Sequence, residues 1–309
     1  MKKLLFITIL STSLILGQGI SITMAPVPFT SGDELYALAK ISPNGKYALI
    51  TQKGFSRIEL VEIPTKASQL ITKETPGAGW GIRWNPAGDR FIFKVNETGG
   101  GNTKSVSLFE YILGSTSQKL ATLDPASNNL SFYSIKGNGI STEGKDGELS
   151  IIRQSESQND VSFYISNGKV ILNDRSGSLG SGVSEQIKLI ENVLFAEWSP
   201  SGKKLAIHSA GKGIYIFDFE SGKEFNFPKT EYPSWINDNY FSYMITEDDG
   251  YRLLNSDIVV SKFDGTESGI VTNDFDTPAK YPSASQDGTI LFTGTDNKIY
   301  IMKVDFRNN

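Results

Sequence analysis

The sequence predicts an all-β protein: a six-bladed β-propeller of four-stranded antiparallel blades, closed by an N-terminal strand that completes the last blade. Three observations predict it. A phrase of the form W-x-P-x-G followed by an apolar strand recurs along the chain. Each good copy is followed by a further alternating strand that ends near an acid. The last copy has no fourth strand, because the chain stops soon after Asp305, while a spare strand precedes the first copy.

The chain starts MKKLLFITILSTSLILGQG. Two lysines, an apolar run from Leu4 to Leu16 and the small residues Gly17 and Gly19 follow the plan of a secretory signal. The run is shorter than the roughly 20 residues a spanning helix needs. Residues 1–19 therefore read as a cleaved signal and residues 20–309 as a single propeller domain, periplasmic or secreted, in the bacterial style. With no cysteine, neither a disulfide nor an acylated anchor is available, so the core alone must hold the fold. Net charge is −4, and loss of Lys2 and Lys3 makes it −6. An acidic chain without a basic block is a poor nucleic-acid binder.

The segment ISITMAPVPFT (20–30) is the spare strand. Its prolines suit an edge position, and pairing it with KIYIMKVD (298–305) would cover an otherwise open sheet edge. The first copy of the repeat is KISPNGKYALI (40–50), the second RWNPAGDRFIF (83–93) and the fourth EWSPSGKKLAI (197–207). Looser copies are SWINDNYFSYM (234–244) and SASQDGTILFT (283–293). The third is expected at EGKDGELSII (143–152), with IKGNGI (135–140) as a competing register. Gly45, Gly88, Gly147, Gly202, Asn239 and Gly288 then mark the turns, where φ > 0 is cheap for Gly or Asn. Their mean spacing of about 49 residues is that of a four-stranded blade. The uneven interval around the third copy leaves five or seven blades as alternatives.

Third strands are expected at SRIELVEI (56–63), SVSLFEYI (105–112), VSFYIS (161–166), GIYIFDFESGK (213–223), SDIVVSKFDG (256–265) and KIYIMKVD. The fourth strands are short, as in SQLIT (68–72) and QKLATL (118–123). The stretch NDRSGSLGSGVS (173–184) reads as a loop between the third and fourth blades. Trp84, Trp198 and Trp235 share the slot four residues before the turn residue, so packing between blades is their first reading.

On these residues the chain resembles the TolB-like propellers, whose W-S-P-x-G-K phrase also occurs in the propellers attached to prolyl-oligopeptidase-type peptidases. The resemblance covers most of the chain after the signal and implies a fold far more than a function. Departures are expected on both sides. TolB carries an additional N-terminal α/β domain, and none fits ahead of Lys40. The peptidases append a hydrolase domain with a G-x-S-x-G elbow, and none follows Asn309. The expectation is a free-standing propeller.

Chemistry is sparse. His208, the only histidine, lies on the apolar strand KLAIHS and reads as a packed side chain. It cannot make a multi-histidine zinc site, which argues against the metal-dependent pectin-oligomer lyases among the TolB-like propellers. Cysteine nucleophiles are excluded. The acids of TEDDGYRL (246–253) and TNDFDTP (272–278) leave calcium as an option beside the expectation of no cofactor, although solvated turn acids are the first reading of both. The more suggestive set is Trp80, Arg83, Lys40, Glu197, Tyr232, Lys280 and Tyr281, which the repeat places where the chain enters the innermost strands. Aromatics with Arg are the usual anchors of protein contacts. The leading expectation is a non-catalytic module that binds a protein or peptide of the cell envelope at one channel mouth. The alternatives are a lyase or hydrolase of carbohydrate or peptide using carboxylates, and a gate for a separately encoded peptidase.

Overall fold

Successive sheets along the chain become successive blades of a six-bladed propeller. The computed structural model describes residues 14–16, 19–73, 75, 77–98, 104–133, 137–155, 161–174, 177, 179 and 181–307, so most of the expected secretory signal lies outside the described residues. Strands β1 (Leu14–Leu16) and β2 (Ile20–Pro28) come first. The first blade is β3 (Tyr36–Ile41), β4 (Tyr47–Gln52), β5 (Ile58–Glu62) and β6 (Ser68–Thr72). The second is β7 (Arg83–Trp84), β8 (Arg90–Thr98), β9 (Lys104–Ile112) and β10 (Gln118–Leu123). The third has three paired strands, β11 (Asn128–Phe132), β12 (Ile140–Glu143) and β13 (Leu149–Arg153). A separate hairpin follows, β14 (Val161–Ser166) and β15 (Lys169–Asp174), then helix α1 (Ser181–Lys188).

The fourth blade is β16 (Val193–Trp198), β17 (Lys204–Ser209), β18 (Gly213–Asp218) and β19 (Lys223–Pro228). The fifth is β20 (Thr230–Trp235), β21 (Tyr240–Asp248), β22 (Leu253–Lys262) and β23 (Ser268–Ile270). The sixth is β24 (Ala279–Ala284), β25 (Thr289–Gly294) and β26 (Ile299–Phe306). Its fourth strand is β2, paired antiparallel with β26 through Ile20↔Phe306, Ser21↔Asp305 and Ile22↔Val304. Two register shifts between Ile22 and Val27 take up the stretch that contains Pro26. β1 adds to the outer side of β2.

Apolar side chains collect between blades, not inside one globular centre. Phe29, Ile41, Leu291 and Ile299 join the sixth blade to the first, and Leu49, Ile58, Phe91 and Phe93 join the first to the second. Ile92, Leu108 and Ile140 join the second to the third, while Ile216, Trp235 and Phe241 join the fourth to the fifth. Second strands lie deepest. Every residue of β17 and β25 is buried, because each is covered on both faces: β25 by the fifth and first blades, β17 by the fifth blade and by the hairpin with α1.

The turns explain the repeat. Gly45, Gly88, Gly202 and Gly288 each donate their N–H to the carbonyl three residues back, at 2.8–3.0 Å. Gly288 shows why glycine is required: φ is +82°, and an added Cβ would collide with the Val304 carbonyl oxygen. The tryptophan slot stitches blades together. Trp84 Nε1 donates to the Lys40 carbonyl at 3.0 Å and Trp235 Nε1 to the Glu197 carbonyl at 3.1 Å, each across to an earlier blade. Trp198 faces the β14–β15 hairpin through Phe163 (5.8 Å between centroids), and its buried indole nitrogen has no hydrogen-bond partner among the described residues.

The third blade departs from the expected register. Its innermost strand is β11, since Tyr133 N donates to the Gly139 carbonyl just as Ser199 N donates to the Lys204 carbonyl. The competing segment 135–140, whose residues 135 and 136 lie outside the described residues, thus falls where β11 leads into β12, and the Gly147 turn joins β12 to β13 instead. Val161–Ser166 pairs with β15 and is not the blade's third strand. The expected loop at 173–184 begins in β15 and ends in α1, with residues 175, 176, 178 and 180 outside the described residues. Val183 and Ile187, four apart on one helix face, pack with Ile190 against Phe163, Val170 and Leu205. Hairpin and helix together fill the wedge ahead of the fourth blade.

Candidate functional site

Each innermost strand contributes the same two positions to the lumen. The residue five before the turn glycine is Lys40, Arg83 or Glu197 in the first, second and fourth blades. Register places Ser131, Ser234 and Ser283 at that position in the third, fifth and sixth. The serine hydroxyls of Ser234 and Ser283 accept from the N–H of Ala284 and Ile41 at 3.0 Å, sealing neighbouring strands together. The three long charged side chains close no such contact. Instead they couple electrostatically across the axis.

Glu197 is accessible to water, and Lys40 and Arg83 are half-buried, yet protein surrounds all three. A lumen has that double character. Enclosure disfavours charge, and Arg83 repels, so the Lys40 ammonium falls to about 8 despite the Glu197 carboxylate. The Glu197 carboxyl rises to about 7 because enclosure outweighs the pull of Lys40 and Arg83. Enclosure also lowers Arg83, which remains cationic at physiological pH. Lys94 on β8 joins them: its ammonium donates to the Ser127 carbonyl at 2.7 Å and is lowered by burial and then by Arg83.

Two residues earlier along each strand, about 7 Å away along the axis, the lumen becomes aromatic on one side. Phe195, Tyr232 and Tyr281 belong to the fourth, fifth and sixth blades; Tyr232 meets Tyr281 edge-on at 4.8 Å and Phe195 at 6.4 Å. The first two blades place Leu38 and Gly81 there, and Lys94 Cε comes within 4.0 Å of where a Gly81 Cβ would stand. Tyr232 and Tyr281 both precede proline and both have positive φ, 53° and 57°. Tyrosine rarely adopts that backbone. Bulges between Glu231 and Ser234 and between Lys280 and Ser283 accommodate it, and both half-buried rings pack at the edge of the core between the fifth and sixth blades. Lys280 lies over the Tyr281 ring, 5.7 Å from its centroid.

The structure thus brings Lys40, Arg83 and Glu197 together at one level and Tyr232, Lys280 and Tyr281 at the next. Trp80 lies apart: it packs edge-on against Phe55 (5.1 Å) with 56% of its surface exposed. Phe195 and Lys94 were not among the candidate residues. The first could have been found by counting two back from Glu197, as Tyr232 stands two before Ser234. The second is a lysine interrupting the apolar run of β8.

Behind the aromatic level sits His208, 3% exposed and 5.6 Å from Tyr232, with Nδ1 buried and unpartnered among the described residues. Burial lowers it to about 4. The unfolded chain protonates it near 6.5, so stability present at neutral pH is lost as pH falls from about 6.5 towards 4. The expected loss is up to about 3 kcal/mol. It should appear as a drop in urea midpoint between pH 7 and 4.5 that is smaller in His208→Phe. An NMR titration of the single imidazole with a midpoint near 6.5 would contradict it.

Two of the acids of 246–253 are engaged in their own turn. Asp248 accepts from Gly250 N, and Asp249 accepts from Tyr251 N and Arg252 N at 2.8–2.9 Å. Among the described residues no three His, Cys, Asp or Glu side chains gather, and no helix is long and apolar enough to cross a membrane.

No family model and no curated protein matches the sequence. Solved structures do match in fold. A protein assigned as TolB from Agrobacterium tumefaciens aligns over 96% of this chain and 100% of its own, with 13% identity and a TM-score of 0.52. An oligogalacturonate lyase from Vibrio parahaemolyticus aligns over 95% of this chain and 98% of its own, with 13% identity and a TM-score of 0.55. The tricorn protease aligns over 89% of this chain but 26% of its own, with 13% identity and a TM-score of 0.50. At these identities the likeness is one of propeller architecture.

Proposed function

We propose that the protein is an exported, non-catalytic binding module that offers one mouth of its channel to a protein or peptide of the cell envelope. The observation that carries this reading is the pair of strained Tyr-Pro bulges, which hold Tyr232 and Tyr281 beside Phe195 at the lumen. Backbone strain is retained where surrounding structure holds it for a purpose, and rigid aromatics are the common anchors of binding surfaces. The secretory plan of residues 1–19 supports export. Affinity capture from an envelope fraction should retrieve a partner with the unaltered protein and lose most of it with Tyr281→Ala, with Trp80→Ala testing the outer rim. Equal retrieval by Tyr281→Ala would reject this mouth.

One observation favours a second reading. A carboxyl poised near neutral pH in an enclosed lumen, as Glu197 is, suits acid–base chemistry on a carbohydrate or peptide. Turnover of uronate oligosaccharides or peptides that disappears in Glu197→Gln would establish it.

A further inference from the structure

Resting on the reading of this lumen as a binding surface, we propose that it is a carboxylate receptor for peptides. Lys40, Arg83 and Lys94 receive the carboxylate, while Phe195, Tyr232 and Tyr281 bed the apolar or aromatic side chain beside it.

Sign of charge comes first. Three cations and one acid face this part of the lumen, in a protein whose net charge is −4. The positive character is therefore local and runs against the rest of the molecule. An enclosed, low-dielectric channel concentrates such a field on whatever enters it.

Lys94 gives one N–H to the Ser127 carbonyl at 2.7 Å, while Lys40 and Arg83 are uncommitted to any carboxylate among the described residues. Elsewhere the protein pairs its enclosed charges: Arg153 holds Glu110 through two contacts of 2.7 and 2.9 Å, and Arg90 adds a third at 3.7 Å. Lys40, Arg83 and Glu197 form no ion pair within 4 Å among the described residues. Arg83 spends one nitrogen on the Ile82 carbonyl at 3.0 Å, leaving the rest of its fork free. A planar guanidinium with open N–H groups matches a carboxylate in geometry as well as in charge.

Space is the third argument. At the aromatic level the second blade has Gly81, and a Cβ placed there would meet only the stem of Lys94, at 4.0 Å, among the described residues. The opposite wall at that level is Phe195, Tyr232 and Tyr281. A ligand placed there meets cations on one side and aromatic faces on the other, about 7 Å apart along the axis. That separation is the distance from a carboxylate to a neighbouring side chain in one peptide residue or two. A C-terminal carboxylate and an Asp or Glu side chain share this chemistry, and the probes below separate them.

The test is calorimetric titration of the protein with three tripeptides: Ala-Ala-Phe, its C-terminal amide, and Ala-Asp-Phe amide, with inorganic phosphate as a fourth probe. At least one carboxylate-bearing peptide should bind tenfold or more tightly than Ala-Ala-Phe amide. The acid that binds identifies the source, terminal or side-chain. Arg83→Gln should weaken that binding tenfold or more, with Lys40→Met as the second variant should Arg83→Gln fail to fold. In both variants the preference for the acid over the amide should shrink by the same factor. Equal affinity for acid and amide, abolished by Tyr281→Ala, would overturn the carboxylate receptor and leave the binding surface standing. No binding of any peptide would overturn both. Phosphate binding as tight as the peptide, and unaffected by Tyr281→Ala, would mark an unspecific anion hole and also overturn the proposal.

Discussion

Starting the chain at Phe29 should abolish the soluble monomer. That truncation removes β2, which supplies the fourth strand of the sixth blade and the wholly buried Ile20. It uncovers β26 from Ile299 to Phe306, a long and mostly apolar edge, and such an edge pairs with other chains. It also opens the ring, because β2 fastens the start of the chain to the last strand. The packing of Phe29, Ile41, Leu291 and Ile299 between the sixth and first blades then loses its clamp. A single-residue probe should act in the same direction. Ile20→Ala should cost about 2–4 kcal/mol of folding stability, read as a lower urea midpoint, with amide exchange accelerating first along β26. The converse is Ser21→Cys with Asp305→Cys, directly opposite each other in the register. The chain has no other cysteine, and opposed antiparallel residues lie within disulfide reach. Oxidation should add about 2–4 kcal/mol of stability, read as a higher urea midpoint. A truncated chain that stays monomeric and melts as the full chain does would show that the ring does not depend on this clasp.

How much of this could be read in advance follows from where the repeat is strong. Gly45, Gly88, Gly202 and Gly288 sit in turns that only a few residue types can make, so the sequence carries their signal openly. The clasp was also legible, because a blade short of a strand and a spare strand at the other end of the chain admit few arrangements. The third blade was not. Gly147 and the segment 135–140 offer similar turn chemistry, and turn chemistry does not say which pair of strands it joins. Nor did composition reveal α1, whose Ser and Gly content resembles a loop; its apolar spacing at Val183, Ile187 and Ile190 carries the signal. At the candidate site, strand register could be inferred and side-chain reach could not. Lys40, Arg83 and Glu197 share a slot in the sequence, but their coupling across the axis is a property of the closed ring.

Affinity of the lumen for a carboxylate ligand should fall steadily between pH 6 and pH 9, by about tenfold to a hundredfold. The groups facing the bound anion are Lys40 on β3, Arg83 on β7, Lys94 on β8 and Glu197 on β16; Ser234 and Ser283 from the remaining neighbouring strands carry no charge. Glu197 is raised to about 7. Below that pH it is mostly protonated, and the lumen carries three cations with no opposing carboxylate. As pH rises through 7 the carboxylate forms and repels the ligand's own. Lys40 is lowered to about 8, so a further rise discharges one of the cations. The two titrations act in the same direction, and each interaction lost over a few ångströms of a water-containing channel is worth about 1 kcal/mol or somewhat more. The ligand carboxylate, ordinarily near 4, stays ionised throughout. Glu197→Gln should flatten the limb near pH 7 and keep the one near pH 8, while Lys40→Met should do the reverse and bind more weakly everywhere. Affinity independent of pH across this range, in a protein that binds the acid and not the amide, would show that the anion is held away from Lys40 and Glu197.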